Sequence, residues 1–164
     1  MRAARLRAGL GWAAVGVGLM LGGARLAKAQ AAPIPHAHIY PAVEDAKADI
    51  KAGLAEARRT HKRLILDFGG DWCGDCQVLN IYFHQSPNAE LMAKYFVLVD
   101  VNIGREDANL DIAAKYGVPM PHGVPALVVL DGEGRLLYSQ KNEFADMRHM
   151  DSSSVTEFLN KWKP

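Results

Sequence analysis

Cysteine is scarce in this chain of 164 residues: there are two, Cys73 and Cys76. That count excludes a zinc site closed by four thiolates and leaves room for a single disulfide within the chain. Acidic residues are absent from the first 29 positions, which carry Arg2, Arg5, Arg7, Arg25 and Lys28. Of the 19 basic residues, 14 therefore remain for the rest of the chain, against all 18 acids. A mildly acidic body gives no electrostatic reason to bind nucleic acid. Internal repeats are also missing, and the length suits one domain with a proper core rather than two. A hydrophobic content of 49% is ordinary for such a domain.

The N-terminus explains the charge split. MRAARLR is a basic leader, LGWAAVGVGLMLGGA is an apolar run, and small residues flank Ala27-Lys28-Ala29. This is the order of a secretory signal peptide over residues 1–29, with cleavage expected before Gln30. The alternative is an uncleaved anchor, but the 17 residues from Ala8 to Ala24 sit at the short limit for a bilayer span and include several glycines. Neither twin arginines nor a lipobox cysteine is present, so general secretion to the periplasm is the expectation. There a thiol pair can cycle and a disulfide can persist.

Residues 30–40, QAAPIPHAHIY, read as a tether or an entering edge segment, and residues 41–164 as the folded domain. Val43, Ala46, Ile50, Leu54 and Ala57 recur at helical steps after Pro41. RLILDF (63–68) is a short apolar run that ends at Gly69-Gly70, which predicts a buried strand. A helix is predicted from Cys73 to His84, with Val78, Leu79, Tyr82 and Phe83 inward. Ser86 is expected to cap a second helix with Pro87 at its first position. YFVLVDVN (95–102) predicts another strand, and NLDIAAKYG a helix closed by Gly117. PALVVLD-GEG-RLLYSQ reads as a β-hairpin, and SSSVTEFLNKW as an amphipathic helix. Alternation followed by a hairpin predicts an α/β fold, a mixed central sheet with helices on both faces.

DFGGDWCGDC (67–76) carries the chemistry, and three readings of its cysteines compete. A structural bridge across four residues would remove only about 2 kcal/mol of unfolded-state entropy. A metal pair would lack ligands for zinc, although copper(I) accepts two thiolates with one histidine, so a copper(I) metallochaperone using the same pair is the alternative function. Thiol–disulfide exchange fits the surroundings best. Cys73 falls at a helix N-terminus, where free N–H groups and the helix dipole favour a thiolate. Cys76 follows one turn later, placed to attack a mixed disulfide. Gly74 permits close approach of a partner chain, and Trp72 offers an apolar shoulder unless it merely fills the core.

This stretch resembles the strand–tryptophan–cysteine signature of the thioredoxin family, and the resemblance covers most of residues 41–163. It implies a thioredoxin-like fold and a thiol–disulfide oxidoreductase. It further implies that Asp67, six residues before Cys73, shuttles the proton of Cys76, and that Val124-Pro125 forms a cis-proline loop that pairs with substrate backbone. A carboxylate among Leu64, Ile65, Leu66 and Phe68 would be desolvated and its pKa raised, unless it reaches water at the strand end. The family's usual lysine partner for that aspartate is absent, the matching position being Leu98. Asp75 stands where thioredoxins commonly carry proline. A carboxylate is favourable at a helix N-terminus, but next to Cys73 its charge disfavours the thiolate and makes the couple more reducing. His122, just before the loop facing the cysteines, could modulate the thiolate or be a plain surface residue. KNEFADMRHMD (141–151) stands in place of a tight connection and could carry partner specificity.

These features lead to the expectation of a cell-envelope reductase or exchanger of disulfides in exported proteins. No bound cofactor or metal is required, a membrane-embedded electron donor is implied, and a monomer is the expected state.

Overall fold

The computed structural model describes residues 37–119, 123–140 and 143–164. The proposed signal segment, most of the 30–40 segment and His122 lie outside these residues. Four strands form one sheet: β1 (Arg63–Gly69), β2 (Phe96–Asn102), β3 (Ala126–Leu130) and β4 (Leu136–Ser139), in the order β2-β1-β3-β4. β1 and β2 are parallel, while β3 runs antiparallel to both β1 and β4. The described residues also form five α-helices: α1 (Ala46–Thr60), α2 (Gly74–Phe83), α3 (Asn88–Tyr95), α4 (Leu110–Lys115) and α5 (Ser152–Trp162). Among the described residues, no helix is long and apolar enough to cross a membrane.

Side-chain alternation along β1 sorts the core into two layers. Leu64, Leu66 and Phe68 pack with Ala46, Ile50 and Ala57 of α1, with Ile112 of α4 and with Tyr116 just after it. Ile65 points the other way, into a cluster with Val78, Leu79 and Phe83 of α2 and Val155, Phe158 and Leu159 of α5. Both strands buried in the middle, β1 and β3, therefore read as continuous apolar runs. α1 approaches the sheet closely at Gly53, where a Cβ would lie 2.6 Å from Val99 Cγ2. Any side chain there would force the Val99 and Leu64 side chains, or the helix, to shift.

The first helix begins later than its pattern suggested. Val43–Asp45 form a 3₁₀ turn that leads into α1. The second predicted helix start also differs. Ser86 caps no backbone group; its hydroxyl donates to Glu90 Oε1 at 2.9 Å, and α3 begins at Asn88, with Pro87 outside it. Asn88 is buried, and its amide donates to the carbonyls of Tyr82 and Ser152, joining α2, α3 and α5. Gly117, at φ 71°, closes α4 as its position implied, and Val118 N–H donates back to Ala113 O.

Candidate redox site

β1 ends at Gly69, and the chain turns into α2 with Cys73 as its N-cap residue. Cys73 and Cys76 form a disulfide with Cα atoms 5.2 Å apart. The Cys76 N–H donates to Cys73 Sγ at 3.1 Å, so the cap of the helix is itself a sulfur. An amide aimed at that atom, together with the helix dipole, favours negative charge on it. Exposure separates the two: Cys73 is 5% exposed and Cys76 is 0% exposed. An incoming group meets Cys73 first.

The loop before β3 faces this pair. Val124–Pro125 is a cis peptide, and the Val124 carbonyl oxygen lies 3.5 Å from Cys73 Sγ. Gln140, buried beyond β4, fixes the loop: its amide donates to Pro125 O at 2.8 Å and accepts from Leu127 N–H at 2.9 Å. Trp72 stands beside the sulfurs at 37% exposure. Its indole N–H donates to Gly104 O at 2.5 Å, and the Arg105 guanidinium lies 5.6 Å from its ring centre. Trp72 is therefore a held shoulder at the surface rather than core filler.

The structure changes the reading of Asp75. Its side chain is buried, and Oδ1 accepts from Arg148 N–H at 2.9 Å and from Arg148 Nε at 3.1 Å. The expected penalty on a Cys73 thiolate is therefore reduced, because Arg148 offsets the Asp75 charge. Arg148 also lies beside Gly74, where a Cβ would be 3.8 Å from Arg148 Cδ and 3.9 Å from Nη1. The segment that carries it is anchored by Phe144 and Met147, which are buried in the layer shared with α2. Tyr82 O–H further donates to Met150 O. Residues 143–151 thus pack against the cysteine helix.

Behind the disulfide the surroundings are acidic. Asp67 is fully buried at the end of β1, and the parallel register places Asp100 opposite it, on the same face of the sheet. Leu98 instead pairs with Ile65. The position facing Asp67 is therefore a second carboxylate, and a lysine is indeed absent from it. Burial and then the Asp100 charge push the Asp67 pKa well above the usual range, although a hydrogen bond from Tyr40 pulls the other way. Burial likewise raises Asp100 to about 6. One oxygen of each carboxylate is buried without a hydrogen-bond partner among the described residues. The strand-end alternative, an aspartate reaching water, does not hold.

The four described residues before Pro41 are pinned to this region rather than loose. Ala37 exchanges two hydrogen bonds with the Gln77 side chain, each 2.9 Å. Asp71 Oδ1 accepts from the amides of Ile39 and Tyr40, and Oδ2 pairs with His38. Burial alone would raise Asp71, but these donors outweigh it and hold its pKa below the usual range. The strap carries Tyr40 into the core, where its hydroxyl donates to Asp67 Oδ2 at 3.0 Å.

Comparison with known proteins agrees with this geometry. The sequence matches the family described as Thioredoxin-like over residues 45–132. The structure of a disulphide isomerase from Xylella fastidiosa Temecula1 is similar, at 37% identity and a TM-score of 0.70, covering 76% of this chain and 98% of that one. A Thioredoxin H-type from Chlamydomonas reinhardtii is 35% identical over 76 residues, which are 46% of this chain and 63% of that protein, just under two thirds of its length. A thioredoxin from Mycoplasmoides gallisepticum (strain R(low / passage 15 / clone 2)) is 29% identical over 101 residues, 59% of this chain and 92% of that protein. The chain belongs to the thioredoxin-like family. Cys73 and Cys76 are its Cys-x-x-Cys pair, the dithiol arrangement of thiol–disulfide oxidoreductases.

Proposed function

We propose that this protein is an exported thiol–disulfide oxidoreductase that reduces or isomerises disulfides in other exported proteins. The carrying observation is the Cys73–Cys76 disulfide at the head of α2, with Cys73 against the cis Val124–Pro125 loop. In the reduced protein the Cys73 thiolate attacks one sulfur of a substrate disulfide, and the other sulfur leaves with the electron pair. Cys76 then gives up its proton and attacks Cys73, releasing the substrate as a dithiol. Asp67 is the acceptor for that proton. Trp72, Gly74, Val124 and Pro125 receive the substrate backbone. Arg148, paired with Asp75, sets the charge next to the nucleophile.

The reducing direction is supported by the carboxylates behind Cys76. They give no stabilisation to a thiolate there, and a dithiol without that stabilisation is a stronger reductant. The similarity to a disulphide isomerase supports the exchange reaction. Export to the periplasm is supported by the basic leader, the apolar run and the small residues before Gln30. A chain exported in this way needs electrons delivered across the membrane, which implies a membrane-embedded dithiol donor.

The test is turnover of a protein disulfide such as those of insulin with a dithiol donor, beside the N-terminal sequence of the mature protein. Turnover that disappears in Cys73→Ser, with a mature start at Gln30, supports the proposal. Stoichiometric copper(I) binding by the pair without turnover overturns it in favour of a metallochaperone.

A further inference from the structure

Cys76 cannot attack until its thiol loses a proton, and one group that bonds to Asp67 also shares with that sulfur the space beside Gly69. The group is the phenol of Tyr40, fully buried and fixed by the backbone bonds that Asp71 makes to residues 39 and 40. Gly69 marks the meeting point. A Cβ there would lie 2.7 Å from Tyr40 Cζ and 2.8 Å from Cys76 Sγ. Phenol and sulfur thus converge on the space that a missing side chain leaves open. On its other side the Tyr40 hydroxyl already donates to Asp67 Oδ2 at 3.0 Å.

We infer that the Tyr40 hydroxyl relays the Cys76 proton to Asp67. This deepens the proposed function and rests on it for the order of the thiol steps. A phenol can accept one hydrogen bond while donating another, which a carboxylate anion cannot do. During resolution, Cys76 S–H passes its proton to the Tyr40 oxygen as Tyr40 O–H passes its own to Asp67 Oδ2. Cys76 sulfur bonds to Cys73 Sγ, and the bond from Cys73 to the departing sulfur breaks, its electron pair leaving with that sulfur. Tyr40 ends unchanged, and Asp67 holds one proton that it later returns to solvent.

The groups facing the phenol all favour a neutral relay. Asp67 comes from β1, Asp100 from β2 and Asp71 from the turn after β1, while Cys76 is on α2. His84, at the end of α2, acts on Asp100. Burial and then the three carboxylates push the Tyr40 pKa well above 10.0, so the hydroxyl keeps a proton to give throughout the working pH range.

The experiment is single-turnover reaction of the reduced full chain with 5,5′-dithiobis(2-nitrobenzoate), followed across pH. Cys73 attack releases the first nitrobenzoate thiolate and Cys76 resolution the second, so the two steps are read separately. In Tyr40→Phe the first phase should be unchanged. The second should slow by about tenfold or more, at or below the roughly hundredfold that removing a proton-transfer group typically costs, with its plateau moved to higher pH. Asp67→Asn should slow the second phase, and adding Tyr40→Phe to it should cost nothing further. A second phase in Tyr40→Phe with the wild-type rate and pH profile overturns the relay, as does a double variant slowed by the product of the two effects. Should Tyr40→Phe fail to fold, 3-fluorotyrosine at position 40 keeps the ring and makes the hydroxyl more acidic; a shifted second-phase pH profile supports the relay, and an unshifted one overturns it. Because the probe is a small disulfide, absence of insulin turnover would count against the proposed function and leave this result standing.

Discussion

Cys73 lies at the mouth of α2, capped by an amide, with the Arg148 side chain beside the adjacent Gly74 and the Val124 carbonyl opposite. Cys76, one turn on, has no exposure and shares its space with Tyr40, behind which stand Asp67 and Asp100. Two bonded sulfurs thus have opposite electrostatic company. On the outer side the helix dipole favours negative charge and Arg148 offsets the Asp75 carboxylate, whereas burial and carboxylates on the inner side oppose it. For the proposed function the contrast predicts an order of chemistry: the outer sulfur attacks as an anion, and the inner one keeps its proton until resolution.

Removing either sulfur breaks the comparison outright. Cys73→Ser should reduce disulfide turnover to background, while Cys76→Ser should accumulate mixed disulfides that can be isolated with substrate attached. Next in size is Asp67→Asn, which should slow resolution by about a hundredfold and leave the first attack intact, measured in the same single-turnover assay.

Asp100 tests the inner side through stability. Its folded pKa of about 6 exceeds the ordinary 3.8. Below about pH 4 both folded and unfolded chains hold this proton, and the contribution is at its most favourable. As pH rises to about 6 the unfolded chain releases the proton first, and stability falls by up to about 3 kcal/mol. Asp100→Asn should remove that decline, so urea unfolding should show the variant more stable at pH 8 and little different at pH 4. The smallest effect is expected on the outer side. Arg148→Met should raise the Cys73 pKa by about one unit and lower the reduction potential by about 30 mV. Asp75→Asn should move both in the opposite direction.

Much of this arrangement was legible in the sequence because it depends on local pattern. The apolar run RLILDF and the glycines after it define β1 and its end, and the cysteine spacing places both sulfurs on the first turn of α2. Asp67 was legible as a carboxylate inside an apolar run. Its neighbour was not, because the register between β1 and β2 is set by packing along the whole strands and puts Asp100, not Leu98, beside it. A lone acid within VLVDV was the available signal. Arg148 and Tyr40 were missed for a related reason. One arrives on a connecting segment and the other on a strap read as a tether, and neither segment has a periodicity that reveals where it docks. Gln140 resembled the end of a hairpin strand, and only the folded chain brings its amide to Pro125.

The most direct measurement is the pH dependence of alkylation at each thiol in the fully reduced protein, resolved by peptide mass spectrometry. The account predicts that Cys73 reacts first and titrates at least about one unit below Cys76, which stays protected well into the alkaline range. Equal titration of the two thiols, or a Cys76 that reacts ahead of Cys73, would contradict it.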